Sequence, residues 1–258
     1  MITHKKTCLF FIIILLLLLL TKLYIAINFL WFIAIGIIWL SIVAINSSRI
    51  KSNYHVKAYC NNPSLTENKI ALTFDDGPSE ITLEVLDVLK NYDVKATFFC
   101  IGKNIEKHPE IIERILSEGH QVGNHSYSHS HFFDLYNTKK IFEELKRTDL
   151  LLEKFTSRKI QFFRPPYGVT TPSIRRALKL SGHKVIGWNI RSLDGGIKDQ
   201  EVIYNRIIKR VSPGGIVLLH DTAKHSVLVL EQFLQFLQQN NYTVISVEKL
   251  LNLKAYED

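Results

Sequence analysis

The sequence predicts an α/β protein, a (β/α) barrel of about seven strands behind an apolar N-terminal segment. Three observations carry that prediction. Residues 8–45 are almost wholly apolar, whereas the chain from Arg49 onward has the mixed composition of a globular domain. In that second part, short apolar runs alternate with stretches of helical periodicity, as repeated βα units do. The polar residues with most chemistry in them follow the carboxyl ends of those runs, on five different strands. A barrel gathers strand ends on one face, whereas an open sheet forms its site only at a switch point.

The apolar segment, interrupted mainly by Thr21, Lys22, Asn28 and Ser41, is longer than one straight span, which takes about 20 residues. Cys8–Ala26 and Phe29–Ile45 make two spans with a tight turn near Asn28. Alternatively, Leu23–Ile45 makes one, with the earlier run as a tilted or interfacial extension. Lys5-Lys6 before an apolar run resembles a signal peptide, but a second apolar stretch follows and no A-x-A cleavage site is clear. Residues 1–48 are therefore read as a membrane anchor, 49–68 as a linker, 69–253 as one globular domain and 254–258 as a C-terminal tail. Lys5, Lys6, Arg49, Lys51 and Lys57 flank the segment and only Lys22 lies within it. The positive-inside rule then favours two spans with both ends cytoplasmic.

The net charge of +8 suits a membrane surface or an acidic glycan, although scattered lysines serve solubility alone. No aromatic–basic pattern argues for nucleic acid. Cys8, Cys60 and Cys100 show no C-x-x-C spacing, which excludes a zinc–cysteine site. Cys60 and Cys100 can pair outside the cytoplasm; buried free thiols are the commoner arrangement.

Along the domain, Ile70–Phe74 reads as a buried strand, and Ser79 caps a helix with Val85, Leu86, Val88 and Leu89 on one face. Lys95–Ile101 is the next strand. Pro109 opens a helix through Glu118 that Gly119 ends, and Gln121–Val122 is a brief strand. A long amphipathic helix runs from Thr138 to about Phe155. Ile160–Arg164 is a strand stopped by Pro165-Pro166. Thr171-Pro172 starts a helix that Gly182 ends. Lys184–Trp188 is a strand, Asp199–Val211 a helix, Ile216–His220 a strand, and Val227–Asn240 a helix. Thr243–Ser246 and Val247–Leu253 complete the set as strand and helix.

Thr73-Phe74-Asp75-Asp76-Gly77-Pro78 places two carboxylates at the end of the first strand, and His125-Ser126-Tyr127-Ser128-His129 follows the third. One carboxylate and two imidazoles form a three-ligand metal set that leaves positions open for water and substrate, the pattern of catalytic zinc. Water on such an ion has a pKa near ~7. His125 and His129, four apart, face one side if they lie on a helical turn. Alone, such a pair is as readily a polar loop, and His131 competes as a ligand. The adjacent Asp75-Asp76 favours the metal reading, because neighbouring carboxylates rarely serve packing. Arg164, before two prolines, is placed to pair with one of them. His220 emerges at the barrel mouth with a pKa range suited to a general acid, and Asp194 is placed to orient it. Two histidines and a carboxylate also form the non-haem iron triad; the surplus acid and His220 fit hydrolysis better.

Five segments, Thr73–Pro78, His125–His129, Arg164–Gly168, Trp188–Asp194 and Leu218–Asp221, resemble the ordered motifs of the polysaccharide deacetylases. That is the NodB-homology domain, or carbohydrate esterase family 4. The resemblance spans roughly Lys69 to Leu251. It implies a distorted (β/α)7 barrel of the NodB type and a divalent metal, usually Zn2+, sometimes Co2+ or Ni2+. It also implies roles: Asp75 as general base held by Arg164, and Asp76, His125 and His129 as metal ligands. The Tyr167 backbone N–H would complete an oxyanion hole, and His220, tuned by Asp194, would protonate the leaving amine. One departure is that Asp194 is followed by Gly195-Gly196, where many members have a tryptophan lining the sugar groove.

The expected activity is removal of N-acyl, chiefly N-acetyl, groups from amino sugars of a cell-envelope polysaccharide. Two further readings are a deformylase or deacetylase of a lipid-linked amino sugar and a non-catalytic glycan-binding membrane protein. The expected location is the cell membrane, with the resemblance favouring an external domain and the flanking charges a cytoplasmic one.

Overall fold

The computed structural model describes residues 3–257; residues 1–2 of the expected anchor and residue 258 of the expected tail lie outside the described residues. Two long helices come first, α1 (His4–Lys22) and α2 (Leu30–Ser47). Then follow β1 (Ala58–Tyr59), β2 (Lys69–Asp75), α3 (Glu80–Asn91), β3 (Thr97–Cys100), α4 (Gly102–Lys107), α5 (Pro109–Ser117) and β4 (Gln121–Asn124). Next come α6 (Thr138–Thr156), β5 (Lys159–Ile160), β6 (Phe162–Phe163), α7 (Pro172–Ser181), β7 (Lys184–Ile186), β8 (Ile190–Arg191) and α8 (Gln200–Ile208). The chain ends with β9 (Ile216–His220), α9 (Lys224–Gln239), β10 (Thr243–Val244), α10 (Val247–Leu251) and β11 (Tyr256–Glu257).

The main sheet is parallel, in the order β1-β7-β6-β4-β3-β2-β9-β8, with β10 on the start of β2. β7 and β8 belong to one segment, 184–191, that leaves β6 and joins β9. The sheet therefore curls into the distorted barrel that the alternating elements predict. β2 lies at its centre, hydrogen-bonded to β3 and β9, which explains a strand apolar on both faces. Ile70, Leu72 and Phe74 face the helices with Phe98, Val217 and Leu219. Ala71 faces the other way with Phe99, Ile216 and Leu218. That alternation, period two, carries Asp75 and His220, paired in register, to the inner side of the barrel mouth.

Local signals hold where they have a mechanism. Ser79 and Thr82 form a capping box on α3. The Thr171 side chain accepts from the Ile174 N–H, Pro172 fills the first turn of α7, and Gly182 closes it at φ 82°.

Several expectations need correction. The stretch read as a linker contains β1, which pairs with β7, and Asn61 bridges Gly215 at the start of β9. It wedges the sheet where β7 and β9 diverge. The stretch read as a tail contains β11, antiparallel to β5. The strand expected over Ile160–Arg164 is broken at Gln161, whose N–H bonds to Ala255 instead of the main sheet. Helix α4 escaped the reading because six residues carry no amphipathic period. Cys60 and Cys100, by contrast, are both buried free thiols, the commoner of the two arrangements expected for them.

α1 and α2 form an antiparallel hairpin. Phe11 stacks on Trp39 at 5.7 Å. The free end of α1 and the carboxyl end of α2 meet the domain, through His4 N–H to Tyr54 O at 3.0 Å and Thr170 N–H to Ser47 O at 3.0 Å. Both helices are long and apolar enough to cross a membrane, and their apolar sides are exposed.

Candidate active site

Asp75 and Asp76 are consecutive, yet both line one cleft of about 420 Å³ at the barrel mouth. Consecutive strand residues point to opposite faces. Asp76 escapes that rule with a left-handed backbone, φ 75°, held by Asn104 Nδ2 donating to its carbonyl at 2.7 Å. Asp75 is buried. Its Oδ1 accepts from Arg164 Nη1 at 2.7 Å, while Oδ2 lies 3.8 Å from His125 Nε2. Arg164 is fully buried and each of its nitrogens is hydrogen-bonded, with Thr73 Oγ1 at 2.8 Å, Ile186 O at 3.0 Å and Gly187 O at 3.0 Å as the further acceptors. Its guanidinium lies 4.1 Å from the Phe99 ring centre. The geometry is one that a lysine cannot copy.

The histidine segment is a loop, not the helical turn considered above. Ser126 and His129 both take positive φ, 64° and 45°. Asn124 Oδ1 accepts from Ser126 N–H, and Glu144 Oε2 accepts from the N–H groups of Tyr127 and Ser128. His125 Nδ1 lies 2.7 Å from Arg164 O. A carbonyl only accepts, so Nδ1 carries the proton and Nε2 is left free. The Nε2 atoms of His125 and His129 each lie 3.3 Å from Asp76 Oδ1. Burial opposes ionisation of Asp76, but the imidazoles of His125, His129 and His220 hold its pKa well below the usual carboxylate range. Burial and the neighbouring His125 push His129 down to about 4, so its ring is neutral near pH 7.

These three side chains fit a divalent ion. Their donor atoms lie within 4.8 Å of one another. Asp76 Oδ1 is buried with no hydrogen-bond partner, an arrangement that costs free energy unless a cation completes it. Two imidazole nitrogens and one carboxylate oxygen suit Zn2+, Co2+ or Ni2+. His131 stands outside the group, its Nδ1 2.9 Å from Tyr167 Oη.

Across the cleft, His220 Nδ1 donates to Asp194 Oδ1 at 2.7 Å. The other Asp194 oxygen accepts from His220 N–H and Ser226 Oγ, both at 2.8 Å, and Ser192 Oγ donates to Oδ1. Burial works against the imidazolium, but Asp194 outweighs it and raises the His220 pKa to about 9. Tyr167 lines the cleft at φ 59°. Where an aromatic wall would follow Asp194, only Gly195 and Gly196 stand; a Cβ on Gly195 would lie 3.4 Å from the His220 ring.

Sequence reasoning missed Thr73, Glu144, Ser192, Ser226 and Arg191. The first four support groups named above; the partners of Thr73, Glu144 and Ser226 are distant in the chain, so no spacing rule reveals them, and Ser192 supports Asp194 from two residues away, a spacing too common to single it out. Arg191 lines the cleft itself.

Parallel strand ends bringing a carboxylate pair, three imidazoles and a buried arginine to one cleft define the class: a (β/α)-barrel enzyme. The chain belongs to the polysaccharide deacetylase family, whose model matches residues 62–186. It is 34% identical over 197 residues to a peptidoglycan-N-acetylglucosamine deacetylase of Bacillus cereus, covering 73% of this chain and 90% of that one. It is 32% identical over 190 residues to the peptidoglycan-N-acetylglucosamine deacetylase PgdA of Listeria monocytogenes, covering 73% of this chain but only 40% of that longer protein. Among solved structures, peptidoglycan deacetylase PdaC from Bacillus subtilis superposes with a TM-score of 0.67 at 30% identity, covering 74% of this chain and 92% of that one.

Proposed function

We propose that the protein is a metal-dependent hydrolase that removes N-acetyl groups from amino sugars of a cell-envelope glycan, anchored in the membrane by its apolar hairpin. The observation that carries this reading is the unlike treatment of two adjacent acids. Asp76 offers a buried oxygen with no hydrogen-bond partner between two imidazoles, while Asp75 is fixed by Arg164 and kept off that cluster. The names of the relatives supply the substrate class.

Asp76, His125 and His129 would hold the ion, which when bound supplies Lewis acidity to the amide carbonyl and to water. Arg164 occupies one Asp75 oxygen and leaves the other as a base for the proton of the attacking water. The water oxygen bonds to the carbonyl carbon, and the Tyr167 N–H donates to the oxygen on which charge develops. His220, kept protonated by Asp194, gives its proton to the sugar nitrogen. The C–N bond breaks, leaving acetate and a free amine.

The test is acetate release from N-acetylglucosamine oligomers and peptidoglycan by protein stripped with a chelator and reloaded with Zn2+, Co2+ or Ni2+. Activity lost on stripping and restored on reloading is expected. Full activity in the stripped protein refutes the metal assignment.

A further inference from the structure

The foot of the apolar hairpin is built into the wall of the catalytic cleft. Ser47, the last residue of α2, accepts from the N–H of Thr170, three residues after Tyr167, which lines the cleft. Three extended residues span at most about 11 Å. Ile50, just beyond α2, is buried and would lie 3.3 Å from a Cβ on Gly187. Lys51 Nζ donates to Asn189 O at 3.2 Å, beside Trp188 and two residues before Arg191, which both line the cleft. A bilayer surface at the end of α2 thus lies against the rim of the site.

That same wall is cationic. Arg191 borders the cleft with its guanidinium 5.6 Å from the Trp188 ring centre. Arg206 Nε donates to Arg191 O at 2.9 Å. Among the described residues no carboxylate forms an ion pair with Lys51, Arg191 or Arg206. Burial, then the mutual field of Arg210 and Arg191, lowers the Arg206 pKa, as expected where positive charge is not neutralised. A neutral acetylated polymer gives such a wall nothing to pair with, whereas a phosphate does. Further along the same segment, Gly195 and Gly196 line the cleft without side chains and give a long glycan no bulky wall to stack on.

We propose that the substrate is an N-acetylated amino sugar joined through phosphate to a membrane lipid, with the phosphate on Arg191 and Lys51 and the acetamido group at the Asp76-His125-His129 cluster. The lipid stays in the bilayer beside α2, and the sugar turns into the cleft. This rests on the deacetylase reading above and narrows its substrate.

The experiment uses the full chain in zwitterionic vesicles with three substrates. These are N-acetylglucosamine joined through diphosphate to a prenyl chain in the same vesicles, soluble N-acetylglucosamine 1-phosphate, and a neutral chito-oligosaccharide. The lipid-linked sugar is expected to be favoured in kcat/KM by at least roughly tenfold over the other two. In Arg191→Ala, and separately in Lys51→Ala, that preference over the chito-oligosaccharide is expected to fall about tenfold, mainly through KM, the effect of losing one charged hydrogen bond. Equal rates on the chito-oligosaccharide, or a preference unchanged in both variants, overturn this proposal and leave the deacetylase reading intact. Equal rates on the soluble sugar phosphate show phosphate recognition without a lipid and overturn it as well. Acetate from none of the three overturns both.

Discussion

Asp75 and Asp76 share a side-chain chemistry and a peptide bond, and the fold gives them different work. One oxygen of Asp75 is fixed by a guanidinium whose every nitrogen is hydrogen-bonded; Asp76 points into imidazoles. Asp75→Asn should therefore keep its metal, measured by elemental analysis, and lose ~10²–10⁴ in rate, the usual size of a general-base effect. Asp76→Ala should instead come out of chelator-free purification with its metal content collapsed. Arg164→Met leaves Asp75 buried and unpaired. It is expected to cost about 3–5 kcal/mol in denaturant unfolding as well as activity; an unchanged midpoint would show that the pair contributes nothing to the fold. The pairing of arginine with aspartate was legible in the residue types and in the prolines that stiffen the turn. The supporting oxygens were not: Glu144 is one exposed-looking acid on an amphipathic helix until its carboxylate meets the 127–128 amides.

At the scale of elements, β4 shows how closely the barrel is packed. Gly123 lies where a Cβ would be 2.8 Å from the Phe99 ring and 3.2 Å from Phe162 O. Gly123→Ala should lower stability by about 1–3 kcal/mol through overpacking, read as a drop in Tm without loss of the hydrolytic groups. At the other end of β4, His120 Nδ1 accepts from the Ala96 N–H at 3.0 Å, and Nε2 is buried without a hydrogen-bond partner. Burial first, then Lys95, against a smaller pull from Glu118 and with Arg114 contributing least, lower its pKa to about 4. A group depressed on folding stabilises above its unfolded pKa, ~6.5, and that stability is lost as pH falls toward the folded value. The acid loss should reach at most about 3 kcal/mol. His120→Gln, which keeps an acceptor and cannot protonate, should flatten the stability profile between those two values. Strands longer than four residues and capped helices were legible from period and punctuation. β1, β8 and β11, two residues each, were not, because so short a run has no period and exists only through its partner.

At the scale of the whole molecule, the hairpin fixes a relation that either half alone leaves open. Both the amino end of α1 and the carboxyl end of α2 meet the barrel, so an inserted hairpin leaves the N-terminus and the catalytic domain on one side. The domain end carries Lys5, Lys6, Arg49, Lys51 and Lys57, and the turn end only Lys22, so the positive-inside rule predicts a cytoplasmic domain for such a hairpin. Protease added to intact spheroplasts should spare both an N-terminal tag and the domain, and cleave both after lysis; cleavage of one alone would break the hairpin reading. By itself, the sequence determined the alternation of strands and helices, the length of the apolar N-terminal segment and the residue types at five strand ends, because period and composition are local properties. Only the tertiary structure decided that the 49–62 segment closes the sheet, that 125–129 is a loop, and that the apolar hairpin abuts the cleft. Those depend on contacts between residues distant in the chain, whose geometry no local pattern encodes.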